Sequence, residues 1–186
     1  MDPRSPFVLD IREVGRQPGS CYDYHRETTA PAQLGLDMIG VEEGSRLVYD
    51  VRLEAVTEGI LATGSVGGSV RGECGRCLTS FTDVFDVSFV ELFAFADSAT
   101  EATTDPDEVS RIKGAHIDLE PVVRDAVVVS LPLTPLCRPD CPGLCPECGE
   151  RLEDLPAGHS HARLDPRWAA LAERFAEPEP TQHPTE

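Results

Sequence analysis

Residues 136–149, LCRPDCPGLCPECG, organise this chain because they hold four of its seven cysteines. Within them, Cys145-Pro-Glu-Cys148-Gly149 has the form of a zinc knuckle. Two thiolates three positions apart can hold one tetrahedral Zn²⁺ when the backbone turns tightly between them, and the glycine that follows permits a left-handed conformation. A knuckle supplies only two of the four ligands that a structural zinc needs, so the other two must come from elsewhere.

Two further groups of residues could supply the missing ligands. Cys74-Gly-Arg-Cys77 lies far upstream of the knuckle, and His159-Ser-His161 lies just downstream. Together with the cysteines of residues 136–149 they make eight candidate ligands, enough for two tetrahedral sites: Cys74, Cys77, Cys137, Cys141, Cys145, Cys148, His159 and His161. The arrangement with least strain joins the upstream pair to Cys137 and Cys141 in a Cys₄ site. The knuckle then joins the two histidines in a Cys₂His₂ site.

A competing arrangement gathers the four cysteines of residues 137–148 around one ion. Cys74 and Cys77 would then be available as a redox couple, and the two histidines would be surface residues. A redox dithiol usually sits at the head of a helix, where the dipole lowers a thiol pKa, whereas a Phe- and Val-rich segment follows Cys77. We therefore favour metal ligation for this pair. Because both sites would use only protein ligands, the zincs are expected to be structural.

The chain before residue 96 has mainly the pattern of β-strands. Residues 47–56 alternate apolar and charged side chains, which predicts a strand with one buried face. Residues 60–70 are rich in glycine, as in a bulged or strongly curved sheet, and apolar residues alternate again over 81–95. Cys74 and Cys77 are expected at the tip that joins these two strands. Residues 7–14 and 21–28 predict shorter strands, and residues 31–44 a loop.

The remaining chain predicts one packed helix and a C-terminal metal region. Residues 119–131 carry apolar side chains at helical spacing, with Asp118 as the N-cap and Pro132 at the end. Residues 97–107 predict a mobile acidic loop, and Asp165-Pro166 starts a short terminal helix. The expected fold is α+β, with a mainly antiparallel, strongly curved β-sheet, one packed amphipathic helix, a zinc-knuckle region and the terminal helix. We divide the chain into a β-rich core (1–136), a zinc-binding region with the terminal helix (137–176) and a disordered acidic tail (177–186).

The net charge of −17 bears on the choice of partner. It opposes broad attachment to nucleic acid, whose affinity comes mainly from basic residues on phosphates, and it suits a basic protein partner. Solubility alone is the alternative explanation of the charge. Arg71, Arg76 and Arg138, near the expected Cys₄ site, either form a small basic patch that contacts RNA or are solvated surface residues.

The sequence indicates a cytoplasmic protein that is not an enzyme. The N-terminus shows no basic region followed by an apolar run, and no apolar segment approaches the roughly 20 residues of a membrane helix. Disulfides seldom persist in the cytosol, and an odd number of cysteines cannot all pair, which leaves Cys21 as a free thiol. No phosphate-binding loop, nucleophile elbow or HExxH motif is present.

Three segments, in this order, resemble the YceD-type family, the large ribosomal RNA subunit accumulation proteins. They are GECGRCL at residues 72–78, DLEPVVRDAV at 118–127 and the cysteine-rich stretch at 131–149. The likeness extends from about residue 7 to about residue 175. Many relatives in that family have a second Cys-x-Cys where His159-Ser-His161 stands here, and imidazole and thiolate are both good zinc ligands.

The resemblance implies a zinc-stabilised factor that promotes 23S rRNA accumulation and large ribosomal subunit biogenesis, with no established catalytic activity. The implied partner is a large-subunit ribosomal protein, an assembly factor or pre-rRNA. No membrane and no small-molecule substrate are implied. The alternative that the residues leave open is a cytosolic thiol redox or metal-responsive protein that uses Cys74 and Cys77.

Overall fold

The structure is a computed structural model, which describes residues 4–105, 108–161, 166–168 and 171. The chain divides into two compact units, Met1–Gly143 and Leu144–Glu186. The boundary drawn from the sequence after residue 136 lies on the N-terminal side of this division, and Cys137 and Cys141 fall in the first unit. None of the described helices is long and apolar enough to cross a membrane.

The first unit combines a mainly antiparallel sheet with two helices, so the α+β prediction is confirmed. Its strands are β1 (Val8–Asp10), β2 (Cys21–Thr29), β3 (Leu34–Leu36), β4 (Ile39–Val41), β5 (Arg46–Val56), β6 (Gly59–Glu73), β7 (Ser80–Ala94), β8 (Ser110–Arg111) and β9 (His116–Asp118). Its helices are α1 (Ala99–Thr103) and α2 (Glu120–Ser130). The main sheet has the order β2-β5-β6-β4-β3, with β7 along β6 and β8 parallel to the end of β7, while β1 and β9 form a separate pair.

The core lies on one face of β5 and its neighbours. The predicted alternation is present, because Leu47, Val51 and Leu53 are buried while Asp50 and Arg52 between them are exposed. Helix α2 packs its Val123 and Val127 into the same core. The helix ends at Ser130, just before Pro132, as predicted from the missing N–H of proline.

The pairing of β6 with β7 includes three glycine–phenylalanine pairs. Directly opposite residues in the register are Gly64 with Phe89, Gly68 with Phe85, and Gly72 with Phe81. A Cβ on Gly64 would lie 2.3 Å from the Asp50 carbonyl oxygen and 3.1 Å from Phe89 Cζ. Each phenyl ring therefore occupies the space that a side chain on the opposite glycine would need.

Several predicted elements differ from the structure. Residues 31–44 contain the β3–β4 hairpin, and residues 97–107 contain helix α1, where loops were expected. Asp118 is the last residue of β9, so its prediction as the N-cap of α2 is wrong, although its carboxylate accepts a hydrogen bond from the Glu120 N–H at 3.1 Å. Pro166–Trp168 forms a 3₁₀ turn, and most of the predicted terminal helix and the predicted tail lie outside the described residues.

Candidate metal centres

The Cys74-Gly-Arg-Cys77 segment forms a tight turn between β6 and β7. The Leu78 N–H donates to the Cys74 carbonyl at 2.9 Å, and the Cys74 N–H donates to the Thr79 carbonyl at 3.0 Å. Leu78 has a φ of 59°, the left-handed region that a side chain normally avoids. The turn therefore places Leu78 in a left-handed conformation directly after the second cysteine, the position that Gly149 occupies in the downstream CxxC.

The segment that follows α2 packs against this turn and brings in two more cysteines. The Gly75 N–H donates to the Pro135 carbonyl at 2.8 Å, and Arg76 Nη1 donates to the Cys141 carbonyl at 2.9 Å. At Gly143 (φ 84°) a Cβ would lie 3.2 Å from the Arg76 carbonyl oxygen. Because the backbone is held at both ends of this segment, Cys137 and Cys141 face the hairpin turn.

The four thiols form the first cluster, and their spacing fits one tetrahedral ion. Cys74 Sγ lies 3.8 Å from Cys141 Sγ, and Cys77 Sγ lies 3.7 Å from Cys137 Sγ. All four sulfurs lie within 4.8 Å of one another. A tetrahedron with Zn–S bonds of about 2.3 Å has sulfur–sulfur edges of about 3.8 Å. A disulfide would need about 2.0 Å, and these cysteines are free thiols.

The surroundings of the first cluster separate its thiols by acidity. Burial opposes ionisation of Cys74, but three backbone N–H groups that donate to its sulfur lower its pKa to about 6. The Thr79 hydroxyl, 3.3 Å from Cys77 Sγ, and the Thr79 N–H lower the pKa of Cys77. Burial raises the pKa of Cys137 to about 12 and also raises the pKa of Cys141. Two sulfurs are thus already disposed to ionise, and a bound dication would favour thiolates at the other two.

The second unit contains a CxxC turn of the same form, at Cys145–Cys148. The Gly149 N–H donates to the Cys145 carbonyl at 2.8 Å, and Gly149 has a φ of 76°. The Cys145 N–H donates to the Glu150 carbonyl at 2.7 Å, which closes the loop. Backbone N–H groups of Cys148 and Glu147 that donate to the Cys145 sulfur lower its pKa to about 6. The knuckle therefore presents two sulfurs on the same side of a tight turn.

The two predicted histidines complete this second cluster, which comprises Cys145, Cys148, His159 and His161. Cys148 Sγ lies 3.6 Å from His159 Nε2, and the four ligand atoms lie within 4.8 Å of one another. Zinc bonds of about 2.3 Å to sulfur and about 2.05 Å to nitrogen give a tetrahedral S–N edge of about 3.6 Å. Cys145 is buried while Cys148 and His161 are exposed, so this cluster is more open to solvent than the first.

Comparison with known proteins identifies the family. The family model described as "Large ribosomal RNA subunit accumulation protein YceD" matches residues 62–173, which include all eight candidate ligands. The chain belongs to the YceD family. An uncharacterised protein of Mycobacterium tuberculosis is 48% identical over 169 residues, covering 91% of this chain and 81% of that protein. An uncharacterised protein of Mycobacterium leprae is 42% identical over 172 residues, covering 92% and 79%. No solved structure matches the chain.

In this YceD-family protein the eight candidate ligands lie in the two groups of the least-strained arrangement, and each group fits one metal ion. Sequence reasoning missed the supporting residues Leu78 and Thr79. The signal for Leu78 was its place directly after the second cysteine of a CxxC, where Gly149 stands in the knuckle. Nothing in the spacing pointed to Thr79, whose role depends on the register of the hairpin.

The three arginines near the first cluster are engaged with neighbouring groups. Arg71 Nη1 lies 3.4 Å from a Glu42 carboxylate oxygen, and Arg138 Nε lies 3.3 Å from an Asp140 carboxylate oxygen. Arg76 is the donor to the Cys141 carbonyl described above. Their arrangement resembles local structural pairing more than a basic patch directed at phosphates.

Proposed function

We propose that this protein is a non-catalytic, zinc-stabilised binding factor that acts in the cytoplasm to promote 23S rRNA accumulation and large ribosomal subunit biogenesis. Membership of a family described by large ribosomal RNA subunit accumulation carries the proposal. The two clusters support structural zinc, because each would surround the ion with four side chains and leave no position for a substrate.

The proposed partner is a basic ribosomal protein or assembly factor on the pre-ribosomal particle. The net charge of −17 supports a protein partner over the phosphate backbone of RNA, since repulsion from phosphates must be overcome before any local contact forms. Arg71, Arg76 and Arg138 interact with acidic or carbonyl groups of this chain, which also supports a protein partner over RNA. Direct contact with pre-rRNA is the less favoured form of the proposal.

Burial argues against a redox use of the upstream CxxC. Cys74 is 0% exposed, whereas a reactive cysteine needs partial exposure to meet its substrate. Elemental analysis of native protein tests the point, and we expect two zinc ions per chain. Cys74→Ser/Cys77→Ser should leave one, while the matched variant Cys21→Ser should keep two, because Cys21 lies outside both clusters.

The thermal unfolding of the same variants distinguishes a structural ligand from a redox thiol. Structural zinc binding provides about 10–16 kcal/mol of apparent free energy, which is comparable to the whole stability of a domain at about 5–15 kcal/mol. Cys74→Ser/Cys77→Ser should therefore unfold at a much lower temperature than Cys21→Ser. Unchanged zinc content and unchanged melting temperature in the double variant would refute the ligand role.

The ribosomal role is tested in the organism of origin by deleting the gene. We expect the ratio of 23S to 16S rRNA and the large-subunit peak in a sucrose gradient to fall. Wild-type protein and Cys21→Ser should restore both, and Cys74→Ser/Cys77→Ser should not. A deletion strain with a normal ratio and a normal gradient would refute the ribosomal role whatever the metal content of the protein.

A further inference from the structure

Strand β7 leaves most of its outer edge open. It pairs with β6 over its whole length, but β8 covers only Phe93 and Ala94. Within the part of the chain that the structure describes, no strand lies against the outer edge of residues 82–92. Such an edge presents a row of backbone groups that can pair with an added strand.

The register shows which backbone groups point outward. The Phe95 N–H donates to the Glu58 carbonyl and the Cys74 N–H donates to the Thr79 carbonyl, which makes the odd-numbered positions of β7 the ones bonded to β6. On the opposite edge, the Ala94 carbonyl accepts from the Ile112 N–H. The even-numbered residues therefore direct their N–H and C=O groups away from the sheet: Thr82, Val84, Asp86, Ser88, Val90 and Leu92. The Asp83 carboxylate already accepts a hydrogen bond from the Val84 N–H at 2.8 Å. Ser88 and Val90 lie in the middle of the open stretch.

Helix α2 turns this edge into a groove. A concavity of about 450 Å³ lies between β7 and α2, and a second of about 350 Å³ continues it toward the end of the helix. We call the two together the edge groove. Its apolar lining on the helix side is Val122, Ala126 and Val129 (85% exposed), while Val90 of β7 (63% exposed) directs its side chain to the opposite face of the sheet. An open strand edge beside a helix is a setting in which extended peptides bind by β-strand addition.

The polar lining of the edge groove is acidic. Glu91 and Asp125 line the first concavity, and Asp83 and Asp86 line the second. Neither Glu91 nor Asp125 has an ion pair with another described residue, and no lysine or arginine lines either concavity. A second copy of this chain, with its own charge of −17, would be repelled from this surface. The charges instead complement lysine and arginine.

We propose that the edge groove binds an extended, basic segment of a partner protein, which pairs with the outer edge of β7 as an added strand. On the α2 side of the sheet, lysines or arginines of the segment face Glu91 and Asp125 beside Val129, and on the opposite side its valine-sized side chains contact Val90. Backbone pairing supplies affinity with little dependence on sequence, and the carboxylates select for positive charge. This inference goes beyond the proposed function, because it assigns a surface and a partner chemistry whether or not the partner belongs to the ribosome.

Full-length protein and a fluorescent nine-residue peptide of alternating lysine and valine test the proposal. We expect saturable binding by fluorescence anisotropy, slower amide exchange at Ser88 and Val90 by NMR, and no binding of the matching glutamate–valine peptide. A lysine–valine peptide N-methylated at every inner residue keeps its charge but cannot pair as a strand, and it should bind at least about tenfold more weakly. Equal binding of the two basic peptides, or slower exchange elsewhere than β7, would overturn strand addition.

Two protein variants distinguish the contribution of backbone pairing to peptide binding from the contribution of charge. Val90→Pro removes an outward N–H that β6 does not use, and Glu91→Lys/Asp125→Lys reverses the charge; each should weaken binding about tenfold or more. Asp37→Lys/Glu43→Lys, which changes two exposed carboxylates outside the edge groove, is the matched control and should change binding less than about twofold. If Val90→Pro does not fold, the charge reversal and the N-methylated peptide still decide the result. Equal loss in the control variant, or a β7-paired dimer in analytical ultracentrifugation, would refute the proposal.

Discussion

Replacing Leu78 by glycine should stabilise this protein relative to replacing it by alanine, the reverse of the usual order. Leu78 has a φ of 59°, and a non-glycine residue in that region costs about 1–2 kcal/mol. Glycine removes this cost but loses about 0.5–1 kcal/mol more than alanine in backbone entropy on folding. The balance favours glycine by about 0.5–1 kcal/mol. The two variants differ only by one Cβ methyl at a site that is 56% exposed, so their difference reports mainly the backbone.

Urea unfolding of zinc-saturated protein measures this difference. In thermal unfolding, 1 kcal/mol corresponds to about 2–4 °C for a chain of this size. Val84, which is 79% exposed in extended β7, provides the matched site. There glycine should be less stable than alanine by about 0.5–1 kcal/mol. If Leu78→Gly is also less stable than Leu78→Ala, the left-handed turn at the first cluster does not carry the strain that we assign to it.

Three further predictions concern the sheet, an exposed ion pair and the second cluster. Gly64→Ala should lower the free energy of unfolding by about 2–3 kcal/mol, because the new Cβ would lie 2.3 Å from the Asp50 carbonyl oxygen. Gly67→Ala is the comparison. There the nearest atom is a flexible carboxylate oxygen of Asp86 at 3.1 Å, and the loss should stay below about 1 kcal/mol. Hydrogen bonds from Arg12, first from its guanidinium, lower the pKa of Asp10 from 3.8 to about 2. Asp10 therefore contributes stability above pH 3.8 that is lost as the pH falls to about 2. The difference in urea midpoint between wild type and Asp10→Asn should vanish over that window. A chelator should remove zinc in two phases, the faster from the second cluster, where Cys148 and His161 are exposed, and His161→Ala should abolish the faster phase; a single phase would contradict this.

The sequence was sufficient to predict an element or a cluster where a single side-chain pattern determines it. Residues 49–54 alternate apolar and charged side chains, and they lie in β5 with the predicted buried face. The candidate ligands were predictable in kind, because thiols three positions apart have few other uses in a chain of this composition. Their burial was not predictable, since it depends on how the segment after α2 packs on the hairpin turn.

The misses have identifiable physical causes. Helix α1 lies in an acidic stretch without apolar period, yet Ser98 caps it by accepting a hydrogen bond from the Glu101 N–H at 3.1 Å, so Ser-x-x-Glu was the available signal. The β3–β4 hairpin was hidden because each strand has only three residues, too few to show alternation. Its buried apolar residues, Leu34, Ile39 and Val41, were the available trace of it.

One long-range feature was encoded in the sequence but not recognised. Glycines at 64, 68 and 72 mirror the phenylalanines at 81, 85 and 89 about the CxxC turn, with the same spacing of four on both sides. This symmetry predicts the β6–β7 register residue by residue, because each ring needs a position without a side chain opposite it. A hydrophobicity pattern alone carries no such information, since glycine contributes nothing to it.

The hairpin that holds the first half of the cysteine cluster has a consequence during protein synthesis. Its strands are adjacent in the chain, so they can pair soon after residue 94 leaves the ribosome, whereas Cys141 lies 67 residues after Cys74. From the end of β7 to Cys141 the chain has 47 residues, which at about 5–20 residues per second take roughly 2–9 s to make. The nascent chain therefore displays two thiols on a formed turn for seconds before their partners exist. Until Cys137 and Cys141 emerge, this end of the protein cannot form its four-thiol cluster.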